Sequence, residues 1–473
     1  MSEASIWSPP RRLLTIALIG LVTAVAFEGM AVPTILPATV DELGQLELYG
    51  WAFSAFWLTN IVGITLSGGD ADRHGPGRSF AIGLLLFAGG LLISGVASSM
   101  VVVIVGRAVQ GLGSGAIGAV VYLVIARAYA PTGMARMIAL LSSAWVVPGL
   151  VGPALAGTLA DNLSWRWVFL ALVPVVLLMG GAVLRPVWRL GRPTQVAAGG
   201  TARHAVHAVA VALGSTLLLA GLSAGSWLIG GALLIAGGSL AIVGLRPLLP
   251  AGSLLVRRGR PAVFGVIFLV AFAFFGTEAF VPLAVTHVRG GSTTLGGLAL
   301  SAAAVTWALG AWLPTRPATV ERRWLVSAGG ALIGAGVAIT GLALVPQLPV
   351  LLAALGWAVG GLGMGVAYST LTLLVLQTAE PGREGASSSA LQLMFTLGTA
   401  LGAGAGGAFV ALTEVSDLPV ASAIAAADGL MVVVIFAGAL LAARLPSGAR
   451  LLSHTADAHL ASPAGALGPY EDA

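Results

Sequence analysis

Glu28 stands inside an apolar run. It lies in Ala26-Phe27-Glu28-Gly29-Met30-Ala31-Val32-Pro33, within a stretch that is apolar from 13 to 36. That stretch exceeds the ~20 residues a helix needs to cross a hydrocarbon core. A carboxylate at such depth is costly to keep, so its presence points to proton or ion handling rather than to structure. A near copy follows at Phe275-Gly276-Thr277-Glu278-Ala279-Phe280-Val281-Pro282, with the two acids 250 residues apart (278 − 28). The same offset relates Gly106-Arg107-Ala108-Val109-Gln110-Gly111 to Gly356-Trp357-Ala358-Val359-Gly360-Gly361. It also pairs Trp57 with Trp307, Pro131 with Pro381, Gly152 with Gly402 and Gly157 with Gly407. A tandem duplication with one membrane acid per half is the expectation.

Composition sets the class. Of 473 residues, 58% are hydrophobic and 9% charged, which only a membrane protein sustains. The net charge of +5 comes from arginines scattered between apolar runs, so no nucleic-acid partner is expected. Without cysteine there is no disulfide framework, thiolate metal site or cysteine nucleophile. His204 and His207 share helical spacing, but with no carboxylate beside them they read as a helix end, not a metal site. No cofactor and no enzyme activity are expected.

The apolar runs fall near 13–36, 50–68, 80–98, 101–126, 136–160 and 166–184, then 205–222 and 227–245. Six more follow near 261–285, 295–315, 325–345, 350–376, 387–412 and 421–443. The expected architecture is all-α, with fourteen transmembrane helices arranged six, two, six. Its parts are a cytoplasmic N-terminus (1–12), a first bundle (13–185), a linker (186–260) carrying a transmembrane hairpin (205–245), a second bundle (261–444) and a disordered tail (445–473). With this count, twenty arginines fall on the side of the termini and two, Arg166 and Arg289, on the other, while Arg107 lies within a helix. The positive-inside rule then puts both termini in the cytoplasm, in a multi-pass inner-membrane protein. Two parallel six-helix repeats form a transporter architecture with its site at the repeat interface.

The loop Gly68-Gly69-Asp70-Ala71-Asp72-Arg73-His74-Gly75-Pro76-Gly77-Arg78 resembles the signature loop of the major facilitator superfamily at Gly68, Asp72, Arg73 and Gly75. Pro76 and Gly77 replace its two usual basic residues, and Arg78 arrives one place late. Arg107, Gln110, Gly111 and Gly113 resemble its second motif. Pro148-Gly149-Leu150-Val151-Gly152-Pro153-Ala154-Leu155-Ala156-Gly157 resembles the antiporter motif of its drug exporters, with Pro148 and Ala156 in place of glycines. The nine residues from Glu28 to Pro37 match the first-helix motif of the fourteen-helix drug:proton antiporters, with Glu for Asp. Trp165-Arg166-Trp167-Val168-Phe169 is similar to the start of their sixth helix. Glycines at such spacing also simply let helix backbones approach.

The resemblance implies a proton-coupled antiporter that exports amphiphilic or cationic small molecules by alternating access. Its partners would be the substrate, protons and the bilayer, with the proton gradient as energy source and the monomer as working unit. An uptake symporter for a small organic solute is the alternative, disfavoured by the scarcity of intramembrane polar groups. Glu28 lies eight residues from the end of its apolar run, ~12 Å, and Arg107 six residues below Val101, ~9 Å. With both helices facing the cavity, as the superfamily implies, the two side chains meet. A neighbouring guanidinium favours an ionised carboxylate, and desolvation without a cation opposes ionisation. Glu278 is therefore expected to be the principal proton carrier, and Glu28 with Arg107 a polar switch. Phe27, Trp57, Gln110, Trp145, Phe275, Trp307, Trp357, Gln392 and Phe395 are the expected cavity residues. Gly68, Asp72, Arg73, Gly75 and Arg78 would form a conformational latch, with Asp72 meeting the start of the helix near Ser387.

Overall fold

The computed structural model describes residues 6–129, 131–191, 201–315, 321–379, 384–416 and 418–446. The expected tail lies outside them from residue 447 onward, as do residues 1–5 and 192–200. The described residues form helices joined by short connections, without a strand among them. In order they form α1 (Pro9–Leu43), α2 (Tyr49–His74), α3 (Pro76–Gly95), α4 (Met100–Ala128), α5 (Pro131–Ser143), α6 (Val146–Asn162), α7 (Arg166–Leu170) and α8 (Leu172–Arg189). A hairpin of α9 (Thr201–Leu222) and α10 (Trp227–Leu245) follows. Then come α11 (Arg260–Glu278), α12 (Val281–Leu283), α13 (Thr293–Ala311), α14 (Arg322–Leu342), α15 (Leu352–Gln377), α16 (Glu384–Ala411), α17 (Thr413–Ser416) and α18 (Val420–Leu441).

Twelve helical segments among the described residues are long and apolar enough to cross a membrane. The α2 helix and the α5–α6 pair fall outside that set. The last turn of α2 carries Asp70, Asp72, Arg73 and His74, and the helix expected over 136–160 is broken at Ala144 and Trp145, leaving the 17 residues of α6.

Helix ends differ from the apolar runs where backbone chemistry overrides hydropathy. The first apolar run stops at Leu36, yet α1 continues to Leu43 through Pro37, Asp41 and Glu42. Glu28 therefore sits fifteen residues from its end (43 − 28), not eight. Conversely, the run expected over 261–285 does not make one helix. Pro282 has no N–H to offer the carbonyl of Glu278 four residues back, and α11 ends at Glu278. The chain resumes as the single turn α12 and a π-turn over Ala284–Val288. Both acids thus lie beside proline-disturbed backbone, since Pro33 likewise leaves the carbonyl of Gly29 without its helical partner.

Helix pairs recur in the two halves: α2 and α3 pack on α4 as α13 and α14 pack on α15. Glycine contacts fix the register of these pairs. Gly63 lies against the carbonyl of Leu112, and Gly310 against that of Leu362. Gly115 meets Asn60 O, and Gly365 meets Trp307 O. While α4 and α15 keep the 250-residue offset, α2 and α13 are related by 247 (310 − 63). The pairing of Trp57 with Trp307 is therefore incorrect: Trp307 is the counterpart of Asn60. The connection leading into the second helix is three residues shorter in the second half, and that slip turns the helix face.

The halves meet along two seams, α2 with α16 and α6 with α13. At the first, Gly50 approaches Gly407 so closely that a Cβ on Gly50 would stand 2.6 Å from its Cα. The α9 helix lies against α2 and α16, and α10 packs on α9 with Trp227, Leu228, Ile229 and Ile235 exposed.

Candidate functional site

Glu28 and Arg107 meet in the first half. An Nη1–H of Arg107 donates to Glu28 Oε1, and also to Gln110 Oε1 at 2.7 Å, while its Nε–H donates to the carbonyl of Ala52 at 3.2 Å. The guanidinium lies 4.2 Å from the centroid of the Phe56 ring, a cation–π geometry. Gln110 is anchored in turn, donating through Nε2 to Ser94 Oγ at 3.3 Å. Glu28 is 0% and Arg107 1% exposed. A buried ion pair of this kind is held by the completeness of its hydrogen bonds more than by its Coulomb attraction. Here Glu28 Oε2 has no protein partner among the described residues.

Glu278 has a different setting. It lines a narrow pocket of about 20 Å3 with Gly29, Pro33, Phe53, Trp57, Phe275, Ala279, Thr399 and Ala403. Its hydrogen-bond donor is the indole N–H of Trp357, 3.4 Å from Oε2. The Trp357 ring is fully buried, stacked on Phe274 at 4.7 Å between centroids. Trp357 thus sits behind the acid, not in the cavity wall, and Gln110, also fully buried, holds Arg107 instead of facing a ligand.

The remaining expected cavity residues separate into groups. Trp57 and Phe275 line the cavity directly. Phe275, Trp307 and Phe395 join one aromatic cluster, to which the structure adds Tyr368, 4.9 Å from Phe395 and 6.1 Å from Trp307 between centroids. Phe27 packs on Gly152, Trp145 is 41% exposed at the α5–α6 break, and Gln392 is exposed one turn before Phe395.

The halves are tied near the end of the bundle that carries few arginines. Asp161, one residue before the end of α6, caps α13 across the seam. Its Oδ1 accepts the N–H of Thr293 at 3.0 Å, and its Oδ2 accepts the N–H and hydroxyl of Thr294 at 2.8 and 2.6 Å. Ser292 Oγ takes the next N–H, that of Leu295, so three leading N–H groups of α13 meet side-chain oxygens. Burial opposes ionisation of Asp161, but the Thr294 and Thr293 bonds outweigh it and hold the carboxyl below its ordinary range. Tyr49 donates to the carbonyl of Ala279 at 2.9 Å, Ser54 to that of Ala400 at 2.8 Å, and the ring of His287 lies 3.2 Å from Asp41. None of these contacts is signalled by local sequence except the Ser292 cap.

A family model described as Major Facilitator Superfamily matches residues 17–403. The chain belongs to the major facilitator superfamily. Relatives include an uncharacterized MFS-type transporter of Mycobacterium tuberculosis, 28% identical over 85% of this chain. This chain spans 60% of that protein's length. A probable multidrug-efflux transporter of the same organism is 28% identical over 86% of this chain and 90% of its own length. The Bacillus subtilis multidrug transporter protein MdtP is 26% identical over 82% and 74%. Among solved structures, an auto-inhibited POT family peptide transporter aligns over 92% of this chain and 97% of its own, with a TM-score of 0.66 at 17% identity. A human organic anion transporter aligns over 90% and 99%, with a TM-score of 0.56 at 17% identity. These two show the fold alone.

Within the superfamily fold, the stretch likened to the antiporter motif lies at the α6–α13 seam. Gly149 faces Met30 and Ala304, Gly297 meets the carbonyl of Pro153, and Gly157 lies on the backbone of Thr293 and Thr294. Pro148 is buried with them. In the signature loop, Gly75 makes the turn from α2 to α3 at φ 87°, a conformation that favours glycine. Among the described side chains, Asp70 ties this loop. It accepts from Ser79 Oγ at 2.7 Å and pairs with His74 at 2.8 Å, with Arg78 Nη1 3.9 Å away. Gly68 has open space where a side chain would be, and Arg73 is exposed. The Asp72 side chain, and with it the expected contact to the start of α16, lies outside the described residues.

Proposed function

We propose that this protein is a proton-coupled antiporter of the fourteen-helix drug-exporter type, moving amphiphilic, cationic or neutral compounds out of the cell. The observation that carries this is the asymmetry of the two acids. Glu28 is matched by Arg107, whereas Glu278 faces a mostly apolar pocket, with an indole N–H as its hydrogen-bond donor and no cation beside it among the described residues. A carboxyl without a cation, in the wall of a pocket lined from both halves, is where proton and substrate would compete once the pocket opens. The lining of Phe53, Trp57, Phe275 and Pro33, with Thr399 as its other polar side chain, suits an amphiphile better than a sugar or amino acid. The names of the efflux relatives agree with this reading.

In this reading α2 and α5–α6 are also crossings, the arginine-rich end is cytoplasmic, and the contacts of Asp161, Asp41 and Tyr49 hold the outer side closed. Rocking of one half against the other opens that side while Arg107 keeps Glu28 neutralised. The protein works as a monomer in the inner membrane.

The test is ethidium accumulation in an export-deficient bacterium expressing the full chain. Accumulation should fall against the empty vector and recover on adding an uncoupler. Unchanged accumulation, or accumulation that rises with expression as a symporter would give, contradicts the proposal.

A further inference from the structure

A second carboxyl is buried behind the cavity. Asp428 lies eight residues into α18, ~12 Å from its arginine-poor end at helical rise, and is 7% exposed. Its Oδ1 accepts the hydroxyl of Thr277 at 3.1 Å, and its Oδ2 lies toward α14, 3.8 Å from where a Gly341 side chain would begin. Thr277 is itself 2% exposed and immediately precedes Glu278 on the last turn of α11. Consecutive helical residues point about 100° apart. Thr277 therefore addresses α18 while Glu278 addresses the cavity. The close packing of Met431 on Gly276 holds α18 at this level against α11.

No ion pair reaches Asp428 among the described residues. The neighbouring titratable and charged groups are Glu278 on α11, His287 in the π-turn, engaged by Asp41, and Arg289 just beyond it. The Arg289 guanidinium donates to the carbonyls of Ala343, Val345, Pro346 and Leu348. The α14 helix offers Thr340 at this level, and α16 has no titratable residue from 386 to 411. One neutral hydroxyl is a meagre partner for a buried ionised carboxylate, so binding a proton changes the energetics of this site strongly.

We propose that Asp428 is a second proton-binding site, coupled to Glu278 through Thr277. The proposal rests on the proton-coupled reading above. A hydroxyl has one hydrogen to give and two lone pairs to accept with. With Asp428 ionised, Thr277 donates to it, as seen here. When a proton binds Asp428, the new O–H donates to Thr277 Oγ. The hydroxyl hydrogen of Thr277 then turns to the carbonyl of Ala273, four residues back, the usual alternative for a helical threonine. The site gains one positive charge, no other covalent bond changes, and the altered hydrogen bond lies on the turn that ends at Glu278. The first half lacks this device, because the 250-residue counterpart of Thr277 is Phe27.

The test is infrared spectroscopy of the carboxylic C=O stretch in the purified full-length protein, titrated without substrate. Wild type should lose two buried-carboxyl components as pH rises. Asp428→Asn should lack one and move the midpoint of the other by about half a pH unit or more, ~0.7 kcal/mol of coupling. Glu278→Gln should lack the other component. In a Thr277→Val background both components should persist, and Asp428→Asn should no longer move the remaining midpoint. An Asp428→Asn spectrum that keeps every titrating component overturns the site, and an unchanged shift in the Thr277→Val background overturns the coupling. Ethidium-driven proton release from proteoliposomes separates this from the parent proposal. Release by wild type with an unaltered Asp428→Asn spectrum leaves the antiporter reading standing without the site. No release, with a component lost in Asp428→Asn, leaves the site without the antiporter.

Discussion

Glu28 shares its pocket with a guanidinium, a glutamine amide and a phenylalanine face. Glu278, at the equivalent place in the second half, has an indole N–H behind it and a cavity before it. The scaffold around the two acids is the same, and a few positions make the difference. Arg107 becomes Trp357 and Gln110 becomes Gly360. The third layer shows the consequence. Ser94 serves Gln110, but its counterpart Thr340, at the 246-residue offset of α3 and α14, leaves Oγ1 without a partner among the described residues. Two membrane acids thus stand at equivalent places, one paired with a guanidinium and the other without a cation among the described residues; under the proposed function the second is the one that answers protons.

Removing the partner of each acid should separate the halves most sharply. Arg107→Met strands a buried carboxylate and is expected to cost ~3–5 kcal/mol of stability. Trp357→Phe keeps the stack on Phe274, loses one long hydrogen bond and should cost about 1 kcal/mol. Denaturant unfolding of both variants in detergent checks the ordering, and equal losses would break the comparison.

Transplanting the first half's partners sharpens it. A Cβ at Gly360 meets the Trp357 ring only at ordinary contact distance, 3.5 Å, so Gly360→Gln beside Trp357→Arg starts without a backbone clash. That double variant should bind ethidium yet release no proton. Proton release at the wild-type level would show that the cation is not what silences Glu28.

The seam contact is smaller. Asp161→Ala removes a helix cap worth about 1 kcal/mol, which favours opening of the arginine-poor end about fivefold. Thiol labelling of a cysteine placed at that end should accelerate accordingly. Because the Asp161 carboxyl is held below its ordinary range, its contribution persists at neutral pH and fades only as pH falls through that lowered value. The ratio of wild-type labelling to that of Asp161→Ala at the same pH, which cancels the fall in thiolate, should therefore rise in acid. Smallest of all, Arg78→Gln loses an exposed pairing at 3.9 Å and should change stability by less than about 0.5 kcal/mol in the same unfolding assay.

Much of the frame was legible in the chain. The apolar runs marked most of the helices, and the 250-residue offset located both acids. The meeting of Glu28 and Arg107 followed from the superfamily resemblance, which turns both helices to the cavity, and not from the depth count, which α1 upsets by running past its apolar stretch. What escaped was set by connections and by tertiary geometry. A three-residue difference before the second helix hid the true counterpart of Trp307. The break at Glu278 depended on one missing N–H, that of Pro282. Asp161 reads as a loop acid until α13 is brought to it, and Tyr368 joins the aromatic cluster only through packing. Trp357 on α15 and Gln110 on α4 do not serve the cavity, because each spends its polar atoms on a neighbour.

The central claim is that Glu278, not Glu28, carries the proton that substrate displaces. Its most direct test is proton release on adding ethidium to detergent-solubilised protein, compared between Glu278→Gln and Glu28→Gln. The account predicts that Glu278→Gln abolishes the release, while Glu28→Gln, its Arg107 left unpaired, still releases protons with altered ethidium affinity. Release that survives in Glu278→Gln and vanishes in Glu28→Gln would contradict it.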